Sequence, residues 1–178
     1  MIDRFRDCLE FVLLREGRVS KHKADRGGLT NYGITQKTYD AWRTRRGLTL
    51  CSVREIDMSE VRGIYQGEYW EPAKCRLLWC PLDLVVFDSA VQHGPGRASR
   101  WLQQVVGAEQ DGRIGPRTLT SLANYTNENG KRGTAQHYMD IRSAFYEQII
   151  DNDPTQEVFR KGWKNRVDAL MNVVKAYV

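Results

Sequence analysis

Two carboxylates and a hydroxyl stand close together near the N-terminus: Glu16 closes an apolar run, Asp25 follows nine residues later and Thr30 five beyond that. Cleaving a glycosidic bond requires a protonated acid to donate to the leaving oxygen. It also requires an ionised carboxylate to activate water or to stabilise the oxocarbenium-like centre. Two such groups hold different protonation states only when their environments differ. Glu16, at a helix end and against an apolar face, is the natural acid. Asp25, beside Arg26 in a polar loop, is the natural base, and Thr30 can hold the water. The plainer alternative is that two acids in a glycine-bearing loop serve surface contacts or a turn.

The elements that must position these groups follow from periodicity. Phe5, Leu9, Val12 and Leu13 recur at helical spacing, so residues 3–15 read as an amphipathic helix with Gly17 placed to stop it. From Arg18 to Ile34 the chain is too rich in Gly, Lys and Asp for a helix and reads as a loop with a short hairpin. Thr35 is an N-cap for a helix over 36–46 that buries Tyr39 and Trp42. Ser52, or Asp57 to Ser59, opens a further helix with Val61, Ile64, Tyr65 and Tyr69 on its face, and Pro72 ends it. Residues 82–93 read as a mostly buried helix broken by Gly94-Pro95-Gly96, and the next helix turns Ala98, Leu102 and Val105 inward. Asp111-Gly112 makes a turn, Pro116 starts a helix to about Ala123, and two long helices, 131–151 and 156–177, join at Asp153-Pro154. The fold class is mainly α with one small β element near the N-terminus.

The whole composition narrows the function classes. With 27 Lys and Arg against 22 Asp and Glu, the net charge of +5 favours polyanions such as nucleic acid, anionic lipid or an anionic wall polymer. The basic residues are scattered, with no block that marks a nucleic-acid face. Cys8, Cys51, Cys75 and Cys80 lack C-x-x-C spacing and His22, His93 and His137 form no ligand set with them, so no metal site is expected. For a cytoplasmically made chain, free thiols are the default; Cys75 and Cys80 are the one sequence-close pair able to bridge after export. Asp3, Arg4, Arg6, Asp7 and Glu10 sit where a signal peptide needs its apolar core. No stretch approaches the roughly 20 apolar residues of a membrane span.

Several ordered motifs also carry a family likeness. Arg15-Glu16-Gly17, followed by Ala24 to Thr35 (ADRGGLTNYGIT), closely resembles the signature of glycoside hydrolase family 108, lysozyme-like muramidases that include phage endolysins and bacterial muramidases serving toxin release. The likeness continues through Ile64-Tyr65, Tyr69-Trp70, Val86 to Val91 and Gly94 to Ala98. It persists in Asp111 to Leu119, which resembles a peptidoglycan-binding module, and in Gly162 to Val167. The resemblance implies a lysozyme-like α+β fold that cleaves the β-1,4 bond between N-acetylmuramic acid and N-acetylglucosamine. On it, Glu16 falls on the catalytic Glu, and Asp25 and Thr30 fall where the related phage lysozymes place base and water-holding hydroxyl. That arrangement implies inversion at the anomeric carbon, with carboxyl groups about 6.5 to 9.5 Å apart.

The sequence departs from the family pattern at two places. Gly17 is followed by Arg18 and Val19 in place of a second glycine and an aromatic, so Arg18 is a candidate for an anionic part of the substrate. Gln92 stands where the family usually carries Asn, as a candidate cleft residue. Tyr32 could stack on a sugar ring, whereas Tyr69 and Trp70 read as core or rim. Asp88, in an otherwise apolar helix, is either a hydrogen-bonded structural partner or a cleft residue. His93 reads as a satisfied turn residue, and Trp163 with Arg166 as packing for the tail.

The resulting expectation is a catalytic region over residues 1–94 and a peptidoglycan-binding-like helical lobe over 95–178 integrated with it, since no linker separates them. Such a monomeric muramidase, made in the cytoplasm, reaches the periplasm by a holin or another route. It acts on peptidoglycan glycan strands for cell lysis or for wall passage of a secreted protein or toxin. It needs no cofactor, because acid and base side chains suffice. Two rivals come from other classes: a peptidoglycan-binding scaffold without catalysis, and a helical nucleic-acid binder with steep salt dependence.

Overall fold

The computed structural model describes residues 3–16 and 29–177. Packing divides the chain into two compact units, Met1–Glu68 and Tyr69–Val178.

In the first unit, α1 (Arg4–Leu13) begins where the Asp3 side chain accepts from the Arg6 N–H, and it buries Phe5, Cys8, Leu9 and Val12. That spacing of three and four residues places all four on one stripe. Strands β1 (Thr30–Asn31) and β2 (Ile34–Thr35) pair antiparallel, Thr30 opposite Thr35 and Asn31 opposite Ile34. The connecting Tyr32 and Gly33 both have positive φ, 50° and 73°. This is the type I′ geometry that matches the twist of a two-residue hairpin. Thr35 then caps α2 (Gln36–Arg45), its hydroxyl accepting from the Thr38 N–H, and Tyr39 and Trp42 are buried.

Ser52 caps a 3₁₀ turn, Val53–Glu55, and Asp57 opens α3 (Met58–Tyr65) with a full capping box to Glu60. Both N-terminal signals considered for this stretch are therefore used. The helix does not keep Tyr69 on its buried face. It widens into a π-helical turn, Gln66–Trp70, and the extra residue per turn leaves Tyr69 half-exposed while Trp70 is buried.

The second unit is built on α4 (Leu82–His93), whose residues Leu82 to Ala90 are all buried. Such a helix is enclosed on every side. It packs against α5 (Pro95–Val105), against α6 (Pro116–Asn152) and against the 3₁₀ turn Cys75–Leu77. Ala98, Leu102 and Val105 face inward from α5. The helix begun at Pro116 does not stop near Ala123; it runs on to a kink at Gly130, where φ is 71° and ψ 161°. Residues 124–129, rich in Asn and Thr, are weak helix formers by themselves, which is why the sequence alone reads as ending there. Asp153 caps the 3₁₀ turn Pro154–Phe159, which leads into α7 (Arg160–Ala176). All four cysteines are free thiols, Cys8 and Cys75 buried.

Candidate active site

Glu16 lies just beyond α1, its N–H donating to the Val12 carbonyl at 3.2 Å. Its side chain reaches the hairpin turn. A Cβ placed on Gly33 would lie 2.9 Å from Glu16 Oε2 and 3.2 Å from Glu16 Cγ, and also 2.9 Å from the Tyr65 hydroxyl. The carboxylate and the phenol oxygen are thus no farther apart than twice 2.9 Å, both against the bare glycine backbone. Tyr65, buried on α3, donates its O–H to the Tyr32 carbonyl at 2.8 Å and holds the turn in place. Three elements, α1, the hairpin and α3, therefore converge on one half-exposed carboxylate.

The hairpin is anchored from its other side as well. The buried Asn31 side chain donates to the Val53 carbonyl at 3.1 Å. Gln36 donates to the Cys51 carbonyl at 2.8 Å and accepts from the Val53 N–H at 2.7 Å. A turn held at so many points is a rigid support for the acid beside it.

The crowding at Gly33 makes a specific expectation. Gly33→Ala puts a Cβ within 3 Å of two oxygens and forces a non-glycine residue into the left-handed region, at a cost of about 1–2 kcal/mol. The denaturation midpoint should fall accordingly, and turnover should fall with it because the Glu16 carboxylate must move. Full activity in a destabilised variant would show that the carboxylate position is not critical.

Other sequence candidates fall as follows. Thr30 is half-buried on β1, opposite Thr35. Tyr32 is half-buried and borders a depression of about 420 Å³ shared with Leu13, Leu14, Met58 and Arg62. Asp25, Arg18 and Val19 lie outside the described residues. Gln92 is half-buried in the last turn of α4.

Asp88 is the centre of a buried ion system. Its carboxylate is fully buried, accepting from Arg142 Nη1 at 2.7 Å and from Arg166 Nε at 2.9 and 3.0 Å. Burial by itself would raise its pKa, but the two guanidiniums override it and hold the group below the ordinary carboxylate range. Arg142, also fully buried, further donates to Ser89 Oγ at 3.1 Å and to the Tyr146 hydroxyl at 3.1 and 3.3 Å. His93 is part of this system through a 2.9 Å bond between its Nε2 and the Tyr146 hydroxyl. Burial first, then the charges of Arg142 and Arg97, push its pKa down to about 3.

Sequence reasoning passes over Gly33 and Tyr65 as parts of the site. Tyr65 reads as core, which it is, and only its hydroxyl has a second role. Asn31-Tyr32-Gly33 does carry a turn signal. Among the described residues, no group of three or more His, Cys, Asp or Glu could hold a metal ion, and no helix is long and apolar enough to cross a membrane.

The fold recurs in a solved protein. The structure of SagA from Brucella abortus matches with 31% identity and a TM-score of 0.79, over 97% of this chain and 94% of that one. Residues 9–94 match the model of glycosyl hydrolase 108. The chain belongs to the glycosyl hydrolase 108 family. It is a glycoside hydrolase of mainly α, lysozyme-like fold. Residues 97–168 match the model described as a predicted peptidoglycan domain, which makes peptidoglycan the polymer on which this family member acts. No curated protein matches the chain in sequence. Glu16, Thr30 and Tyr32 all fall within the glycosyl hydrolase match. So does α4, although by packing it belongs with the helices that follow it.

Proposed function

We propose that this glycosyl hydrolase 108 member is an N-acetylmuramidase that hydrolyses the β-1,4 bond between N-acetylmuramic acid and N-acetylglucosamine, with Glu16 as general acid. The observation that carries the reading is the Glu16 carboxylate, set at a helix end against the Gly33 backbone beside the Tyr65 hydroxyl. In the cycle, Glu16 donates its proton to the leaving glycosidic oxygen. Asp25, assisted by Thr30, removes a proton from the water that attacks the anomeric carbon from the opposite face, giving inversion. Arg18, Tyr32 and Gln92 contact the glycan. The protein works as a monomer on the wall after release from the cytoplasm, in lysis or in passage of a secreted protein or toxin.

Digestion of purified peptidoglycan with mass analysis of the products tests this. Muropeptides ending in reducing N-acetylmuramic acid are the expected result. Products ending in reducing N-acetylglucosamine would assign the other glycosidic bond. Binding to the wall with no new reducing ends would support a scaffold in place of an enzyme.

A further inference from the structure

Beside the buried Asp88 system, the second unit presents two hydrogen-bond donors with no acceptor among the described residues. The first is fixed by a relay. The Tyr146 oxygen accepts two hydrogen bonds from Arg142, which occupy both lone pairs. Its one hydrogen is therefore left for His93 Nε2, 2.9 Å away. An imidazole that accepts at Nε2 and stays neutral carries its proton on Nδ1. That Nδ1–H meets no acceptor among the described residues, and the ring is only half-buried.

The second donor is Arg97, exposed in the first turn of α5. Its guanidinium carbon lies 4.6 Å from the centroid of Phe145. Stacking on an aromatic face orients the planar fork without consuming its N–H groups. Arg97 has no carboxylate partner among the described residues. His93 approaches the same Phe145 ring edge-on, at 5.4 Å. Two pre-oriented donors thus flank one ring.

Charge points to the kind of acceptor. Arg97 places an exposed guanidinium beside the Asp88–Arg142–Arg166 system, and its positive charge acts on His93. Arg142, Arg97 and Arg166 all act on His93 in the sense that disfavours a cation, opposed only by Asp88. Positive charges that disfavour a histidine cation favour an anion at the same place.

We propose that Arg97 and the His93 Nδ1–H, both set on Phe145, form a carboxylate-binding site, and that its ligand is a stem-peptide carboxylate of peptidoglycan. A guanidinium fork matches a carboxylate geometrically, and the stem peptides are where the polymer carries free carboxylates. The choice of ligand rests on the peptidoglycan-directed function above. The site itself rests on the geometry of the second unit.

The test uses the full chain and a disaccharide tetrapeptide muropeptide, offered with free carboxylates or with those carboxylates amidated. Amidation should weaken binding by about tenfold or more, in line with loss of a charge-assisted pair. Arg97→Gln should weaken the free form to a similar degree and leave the amidated form unchanged. Binding of the free form should also raise the His93 pKa, read from its imidazole resonances by NMR. Equal affinity for the two ligands, or an unaltered Kd in Arg97→Gln, would overturn the site. The muropeptide is not cut at the proposed bond, so the readout is independent of catalysis. Normal hydrolysis with indifference to amidation would sink this site alone, and Arg97-dependent binding without hydrolysis would sink the muramidase reading alone.

Discussion

Glu16→Gln should lower the turnover of peptidoglycan by about two to four orders of magnitude, the range that a positioned general acid contributes. The amide keeps the length and volume of the side chain, so the contact against the Gly33 backbone survives, while the transferable proton is lost. The loss should therefore appear in kcat with little change in KM, the pattern of an interaction made only in the transition state. Thermal unfolding should be close to that of the wild type, because the residue is half-exposed at the end of α1. The measurement is the initial rate of reducing-end release at saturating substrate. A decline of less than tenfold would move the acid to another residue.

How much of this was legible in the sequence depends on whether the signal is local. Helix α1, the Thr35 cap, the Asp57 start and α4 all announce themselves through spacing and capping within a few residues. Glu16 is legible for the same reason, since its place at a helix end is a local fact. The support beneath it is not. Gly33 and Tyr65 meet Glu16 across gaps of seventeen and more residues, and nothing in the sequence around Tyr65 separates a core phenol from one whose hydroxyl holds a turn. The π-helical widening at Gln66–Trp70 is likewise set by packing, which places Trp70 edge-on to Phe87 at 5.3 Å. Asp88 lies between these cases. An acid in an apolar helix demands a partner, but Arg142 and Arg166 are 54 and 78 residues away.

That partnership should make Asp88→Asn one of the most destabilising conservative changes in the chain. Asparagine fills the same space, so no cavity forms, but the fully buried Arg142 and nearly buried Arg166 lose the carboxylate they share. Removing one member of a buried ion system costs about 3–5 kcal/mol, chiefly because the remaining charge stays desolvated. The exposed Lys164–Asp168 pair is the natural control, since surface pairs contribute little. Urea midpoints compared at a common slope give the difference. The pH dependence supplies a second check. Asp88 is held below its ordinary range in the folded state, so its contribution is complete above the unfolded value of about 3.9 and is lost as pH falls through the folded value. The gap between wild type and Asp88→Asn should accordingly be widest near neutrality and shrink below about pH 4. A gap that stayed constant on acidification would mean that the variant fails through packing and not through loss of the buried ion system.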